Sequence, residues 1–227
     1  MIKGYDYGQK KSNSDYDKSG SIIPRKSGGS KSYFFYGVPA EVRKQLQAEK
    51  GKLFSIKSYE VAFHRYNFLH LTGVKIDSIE VASAIHFYEK CLANRLMPEN
   101  FSFAQDGSTA QKLDILENMM GIKQNVAMIG DFTDRGPKLF TEKAAGNICG
   151  CIGFVKDQNT KLNVPNTLLK KDVRDVTASP VQKVYAVLSK SYTAERYSTL
   201  EKVDRGMDIK KCIFSEEIEN LLERQAL

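Results

Sequence analysis

A chain of 227 residues is long enough to bury one sizeable core, and 41% hydrophobic with 27% charged residues is the composition of an ordinary globular protein. Its longest apolar runs fall far short of the roughly 18 residues that a helical membrane span needs, so an integral helical membrane protein is excluded. The formal charge of +7 favours an anionic partner without naming it.

The chain begins with Met1-Ile2-Lys3-Gly4 and continues through polar residues, without the apolar core of a secretory signal, so a reducing cytoplasm is the expected compartment. Residues 1–36 hold seven Lys/Arg and three Asp, a net of +4, so most of the basicity sits in this arm. The arm is rich in Gly and Ser up to residue 33, as in Lys26-Ser27-Gly28-Gly29-Ser30-Lys31, and is expected to be disordered because it offers little apolar area to offset the entropy of ordering. Residues 37–227 are expected to form a single α+β domain, since no linker interrupts them.

Within that domain, Pro39, Val42 and Leu46 fit a helix over residues 39–50, ended by Gly51. Residues 58–69 are apolar-rich and read as helical, leading into His70-Leu71-Thr72-Gly73. Val81, Ile85, Tyr88, Leu92 and Leu96 share a helix face over residues 81–96. Residues 109–120 repeat the pattern with Leu113, Leu116 and Met120, capped by Ser108 or Thr109. After Gly121 the period changes to short β-like runs at 126–129, 139–143, 147–156, 162–165 and 183–190, separated by turn residues. Ile148, Ile152 and Phe154 would share one face of the third run, with Cys149, Cys151 and Val155 on the other. A last helix fits residues 215–224, with Glu216 and Glu217 complementing its dipole. Helices followed by a run of strands argue for N-terminal helices packed on a C-terminal antiparallel meander.

The chemistry-bearing residues are few. There is no Walker loop, dinucleotide turn, His-Glu-x-x-His or nucleophile elbow. Of the four cysteines, Cys149 and Cys151 are two apart, but neither a second close pair nor histidines at helical spacing accompany them, so buried thiols are expected and no metal or cofactor. His86 reads as a structural helix residue, and His64 fits either a structural or a functional part. His70 stands at a Thr-Gly turn, where an imidazole projects into a cleft, and its ordinary pKa suits proton transfer near neutral pH. On a strand, Thr141 and Lys143 would point the same way, so that a hydroxyl and an ammonium converge on one phosphate; a solvated strand face explains them equally. Asn166 and Thr167 follow Pro165 and precede Lys170 and Lys171, a pattern that fits either a capped turn or phosphate contact.

Taken in order, His70-Leu71-Thr72-Gly73-Val74, Thr109-Ala110-Gln111-Lys112-Leu113, Gly130-Asp131-Phe132, Thr141-Glu142-Lys143, Gly153-Phe154 and the run from Val164-Pro165-Asn166-Thr167 through Leu168-Leu169-Lys170-Lys171-Asp172 to Val173-Arg174 resemble a PBECR4 domain over residues 55–192. That family is the phage branch of nucleases sharing the barnase, EndoU, colicin E5/D and RelE fold. The resemblance implies helices packed on an antiparallel sheet, and relatives that cleave RNA without a metal by attack of the 2′-hydroxyl on the adjacent phosphate. It implies His70 as acid or base, with Lys112, Lys143 and Thr141 completing the catalytic set. Thr72, Asn166, Thr167, Lys170 and Arg174 would contact the RNA. The partner implied is RNA, including that of a bacterial host's defence ribonucleoprotein, and the role that of a toxin or counter-defence factor cleaving a tRNA or a CRISPR guide. A non-catalytic, anti-CRISPR-like inhibitor that binds RNA or protein is the competing reading. A nucleotide-modifying transferase is a third, disfavoured by the missing phosphate loop.

Overall fold

Tyr59, Val61 and Phe63 recur with a period of two, and this alternation folds Lys57–Phe63 as a strand rather than the helix expected over residues 58–69. Helix begins only at Asn67. The computed structural model describes residues 57–133, 140–205 and 216–223, with 209, 212 and 214, and the backbone of 30–37. The helix expected over residues 39–50 lies outside these.

Strand β1 (Ser30–Gly37) falls inside the stretch read as an arm, yet its backbone pairs antiparallel with both β2 (Lys57–Phe63) and β9 (Gln182–Ser191). Residues 1–29 of that arm lie outside the description. After β2 come α1 (Asn67–Thr72), β3 (Lys75–Ile76), α2 (Ala84–Leu92), β4 (Phe101–Ser102), α3 (Ser108–Met120) and α4 (Ile122–Asn125). The meander follows as β5 (Met128–Asp131), β6 (Lys143–Gly146), β7 (Cys151–Lys156) and β8 (Asn163–Leu169), after which β9 returns to pair with β5 and is followed by β10 (Thr199–Val203) and α5 (Glu216–Glu219). The large sheet runs β1-β2-β8-β7-β6-β5-β9-β10, and the added β1–β9 pairing curls it back on itself. The class is α+β with a mostly antiparallel sheet, as the period change at Gly121 indicated. The sheet also recruits β1, β2 and β10, which periodicity alone did not reveal.

The sheet presents two apolar faces. On one, Val61, Ile129, Ala145, Ile152, Phe154 and Leu168 pack against Leu71 of α1, Ile115 and Met119 of α3, and Ile122 of α4. On the other, Ala144 and Cys151 meet Val173 and Val176. Two further clusters flank these. One joins Phe68 to Phe87, Tyr88 and Phe101, and the other joins Ala186 and Leu188 to Tyr197.

Several local expectations are corrected. Helix α2 is shorter than residues 81–96 because Ser83 caps it, accepting from the His86 N–H at 3.1 Å, and because Asn94, with a left-handed φ of 55°, turns the chain just after Leu92. It buries Phe87, Tyr88 and Cys91, leaving Ile85 and Leu92 exposed. The third β run begins only at Cys151: Asn147 turns the chain by accepting from the Cys149 and Gly150 N–H groups through its side-chain oxygen, so Ile148 and Cys149 are exposed rather than sharing strand faces. Asn166 and Thr167 lie within β8 rather than at a helix cap.

Candidate active site

The short helix α1 ends at Gly73, whose left-handed φ of 69° a residue without Cβ adopts freely, and this fixes His70 in the last helical turn. Thr72 completes the turn: its Oγ1 donates to the Leu69 carbonyl at 2.7 Å and accepts from the Val74 N–H at 3.3 Å. Thr72 is fully buried and its hydroxyl is spent in this turn, so it braces the backbone that carries His70. His70 itself faces solvent.

Helix α3 brings Lys112 to this turn from the other side. Its aliphatic stem lies so close over Gly73 that a Cβ there would meet Lys112 Cδ at 2.8 Å, and its Nζ donates to the His70 carbonyl at 3.4 Å. Thr109, one turn earlier on α3, donates to the Gly73 carbonyl at 2.7 Å and accepts from the Ala104 N–H at 3.0 Å, pinning helix to turn. Partial burial lowers the Lys112 pKa, opposed by the charge of Asp106. His70 is lowered too, first by burial and then by the Lys112 ammonium.

The third contributor is β8. Its register against β7 slips between Gly153 and Phe154, where Gly153 pairs with Thr167 and Phe154 with Pro165, so Asn166 is the extra residue of a bulge. A bulge re-aims its side chain. Here the Asn166 Nδ2 donates to the Phe140 carbonyl and to the Thr141 Oγ1, both at 3.1 Å, and its side chain acts on the His70 imidazole, raising its pKa against the two lowering effects. Asn166 therefore stands between His70, whose pKa it raises, and Thr141, to which it donates.

Thr141 and Lys143 do not point the same way. The strand starts at Lys143, and a bend at Glu142 breaks the alternation, so Thr141 packs over Gly153, within 2.8 Å of where a Cβ would stand. Lys143 pairs across from Phe154 on the opposite face, with its ammonium 5.8 Å from the centre of the Tyr59 ring and in an ion pair with Asp131. Thr167 is buried, with its methyl also against Gly153. Lys170 pairs with Asp114 at 2.5 Å, and Arg174 forks onto Asp172 at 2.5–3.0 Å. Of the residues singled out from the sequence, the structure thus joins His70, Lys112, Asn166 and Thr141. It buries Thr72 and Thr167, and gives Lys143, Lys170 and Arg174 carboxylate partners. Among the described residues, no three His, Cys, Asp or Glu side chains gather as a ligand set.

A helix turn carrying histidine, crossed by a lysine and tied to a bulged strand beside an antiparallel sheet, is an arrangement suited to proton transfer at a phosphate. The family model described as phage-Barnase-EndoU-ColicinE5/D-RelE like nuclease4, PBECR4, matches residues 33–206. The chain belongs to this family. The PBECR4 match takes in every element from β2 to β10, and so all four of the joined residues. Neither the curated proteins nor the solved structures contain a match to the chain. No helix among the described residues is long and apolar enough to cross a membrane.

Proposed function

We propose that this PBECR4 protein is a metal-independent endoribonuclease, with His70 and Lys112 as its proton-transfer pair. The observation that carries the reading is the convergence of Lys112 and Asn166 on His70 from two separate elements. Cleavage by the 2′-hydroxyl needs a base to take its proton, an acid for the departing 5′-oxygen, and positive charge beside the phosphate as it becomes dianionic. His70, with its pKa lowered, is neutral at pH 7 and competent as the base. Lys112, lowered by burial, is a stronger acid than a free lysine, and its ammonium stabilises the phosphate. Asn166 acts on the imidazole ring and donates to Thr141. Lys170 and Arg174 lie in ion pairs with Asp114 and Asp172 at the surface, where solvent screens the attraction and a phosphate can compete for the cations. Lys143 is engaged with Asp131 and the Tyr59 ring rather than with the His70 turn.

In the cell this activity would act on a host RNA, as a toxin or as a counter-defence factor of phage or mobile-element origin. The test is single-turnover cleavage of RNA in EDTA by the wild type, His70→Ala and Lys112→Ala. The proposal expects wild-type cleavage unaffected by chelation, and loss of about 10²-fold or more in each folded variant. A 2′-deoxy residue at the cleaved position should block the reaction. Cleavage that persists in His70→Ala, or that stops in EDTA, refutes it; a folded wild type that binds RNA without cutting it supports the competing inhibitor.

A further inference from the structure

One helical turn before His70, three rings come together. The His64 and Tyr66 rings are stacked, with centroids 4.9 Å apart and planes 11° from parallel, and Tyr192, from the chain just after β9, lies 5.0 Å from His64. Tyr66 and Tyr192 are 39% and 38% exposed. The arrangement is held from below: the His64 N–H donates to the side-chain oxygen of the buried Asn67 at 3.1 Å. Tyr66 has helical backbone angles, φ −69° and ψ −21°, as the residue capping α1, so Tyr66 and His70 are four apart on one helical face, with Cβ atoms about 5–6 Å apart. That spacing is of the order of the distance from a nucleobase to a neighbouring phosphate.

From this juxtaposition we infer that Tyr66, backed by His64 and Tyr192, is a stacking subsite for one unpaired base of a single-stranded nucleic acid. The inference rests on the proposed function for the direction of the strand, whose phosphate would lie at His70 and Lys112. Charge sets the same polarity. The carboxylate of Asp157 acts on the phenol of Tyr66 and, after burial, raises its pKa, while at the His70 end the Lys112 ammonium stands 3.4 Å from the His70 carbonyl. A phosphate is repelled from the Asp157 end and drawn to the Lys112 end, which leaves the ring for the base. A base inside a duplex has no free face to offer, so the subsite selects single strands, loops or splayed ends.

The chain contains no tryptophan, so Tyr66→Trp introduces a single reporter at the subsite. The probes are a short single-stranded oligodeoxynucleotide, which lacks the 2′-hydroxyl and is not cut, and an abasic strand of the same length and charge. The inference expects the fluorescence of the introduced indole to be quenched by the first strand and not by the second. It expects Tyr66→Ala to weaken binding of the base-bearing strand by about 5- to 150-fold while leaving the abasic strand unchanged. Tyr192→Ala should weaken it in the same sense. Equal quenching by both strands, unchanged affinity in Tyr66→Ala, or no binding of the base-bearing strand each overturns it. Because the probe is not cleavable, the result stands apart from the cleavage test: a catalytically inert protein that stacks a base refutes the nuclease mechanism and keeps the subsite.

Discussion

Gly153→Ala tests the packing beneath the site. A Cβ at residue 153 would stand 2.8 Å from Thr141 Cγ2, 2.9 Å from Thr167 Cγ2 and 3.1 Å from Thr141 Oγ1. Both neighbours are β-branched and stiff at χ1, so neither methyl swings away freely. Overpacking of this kind costs about 1–3 kcal/mol, and loss of unfolded-state freedom on replacing glycine returns about 0.4–1 kcal/mol. A net destabilisation of about 1–2 kcal/mol remains, equivalent to about 2–8 °C in Tm for a domain of this size. The displaced side chain is the one that accepts from Asn166, so the damage should reach His70 and lower kcat as well. Thermal melts, urea titrations and single-turnover cleavage measure the two effects together. Adding Thr141→Ser and Thr167→Ser removes both methyls and should recover most of the lost stability. A Gly153→Ala protein within about 0.5 kcal/mol of wild type, or one that the serine replacements do not rescue, would show that the contact is not the constraint described.

Proton titration of His70 by NMR should give a pKa below the ordinary 6.5, raised by Lys112→Gln and lowered further by Asn166→Ala, because the first removes a repelling cation and the second the side chain that raises it. If His70 is the base, the acid limb of kcat/KM moves to higher pH in Lys112→Gln and to lower pH in Asn166→Ala; shifts of the opposite sign would reject the assigned contacts. Burial pushes the Cys91 and Cys151 thiols up to about 11 and about 12, so in the native protein at pH 8 a thiol reagent should label exposed Cys149 rapidly and spare both, which peptide mapping would reveal. Tyr197→Phe removes the hydroxyl that donates to Glu60 at 2.6 Å across 137 residues, and should lower stability by about 1–3 kcal/mol in a urea titration.

What the amino-acid sequence determined by itself was the class of fold and the family. The change from a helical period to short alternating runs after Gly121 reflects which side chains must be buried, and burial leaves its mark on every neighbouring residue. The position of His70 in a closing turn was legible because a Thr-Gly pair follows it, a local signal. The order of motifs from His70 to Arg174 carried the family, and the match to residues 33–206 bears that out. The aromatic subsite had a sequence signal in Tyr66, four residues before His70, but Tyr192 joins it only in space.

Tertiary structure decided what depends on partners distant along the chain. Strand β2 reads as helix in the sequence because an apolar-rich stretch of this length fits both periods, and its pairing with β1 and the single bridge from Val61 to Asn163 of β8 settle it as a strand. Lys112 and Lys143 are indistinguishable cations in a sequence. Folding sets one over the His70 turn, 42 residues away, and sends the other to Asp131 and the Tyr59 ring. Thr72 and Thr141 are both hydroxyls beside a motif, but the first is consumed inside its own turn while the second is held at the surface by Asn166. Asn166 gains its place from a one-residue slip between β7 and β8, since adding one residue to a strand of period two re-aims the side chain at the slip. Periodicity reports burial, a property of one segment. The charge partners, the bulge and the curl of the sheet are properties of pairs of segments, and only the folded chain specifies which pairs meet.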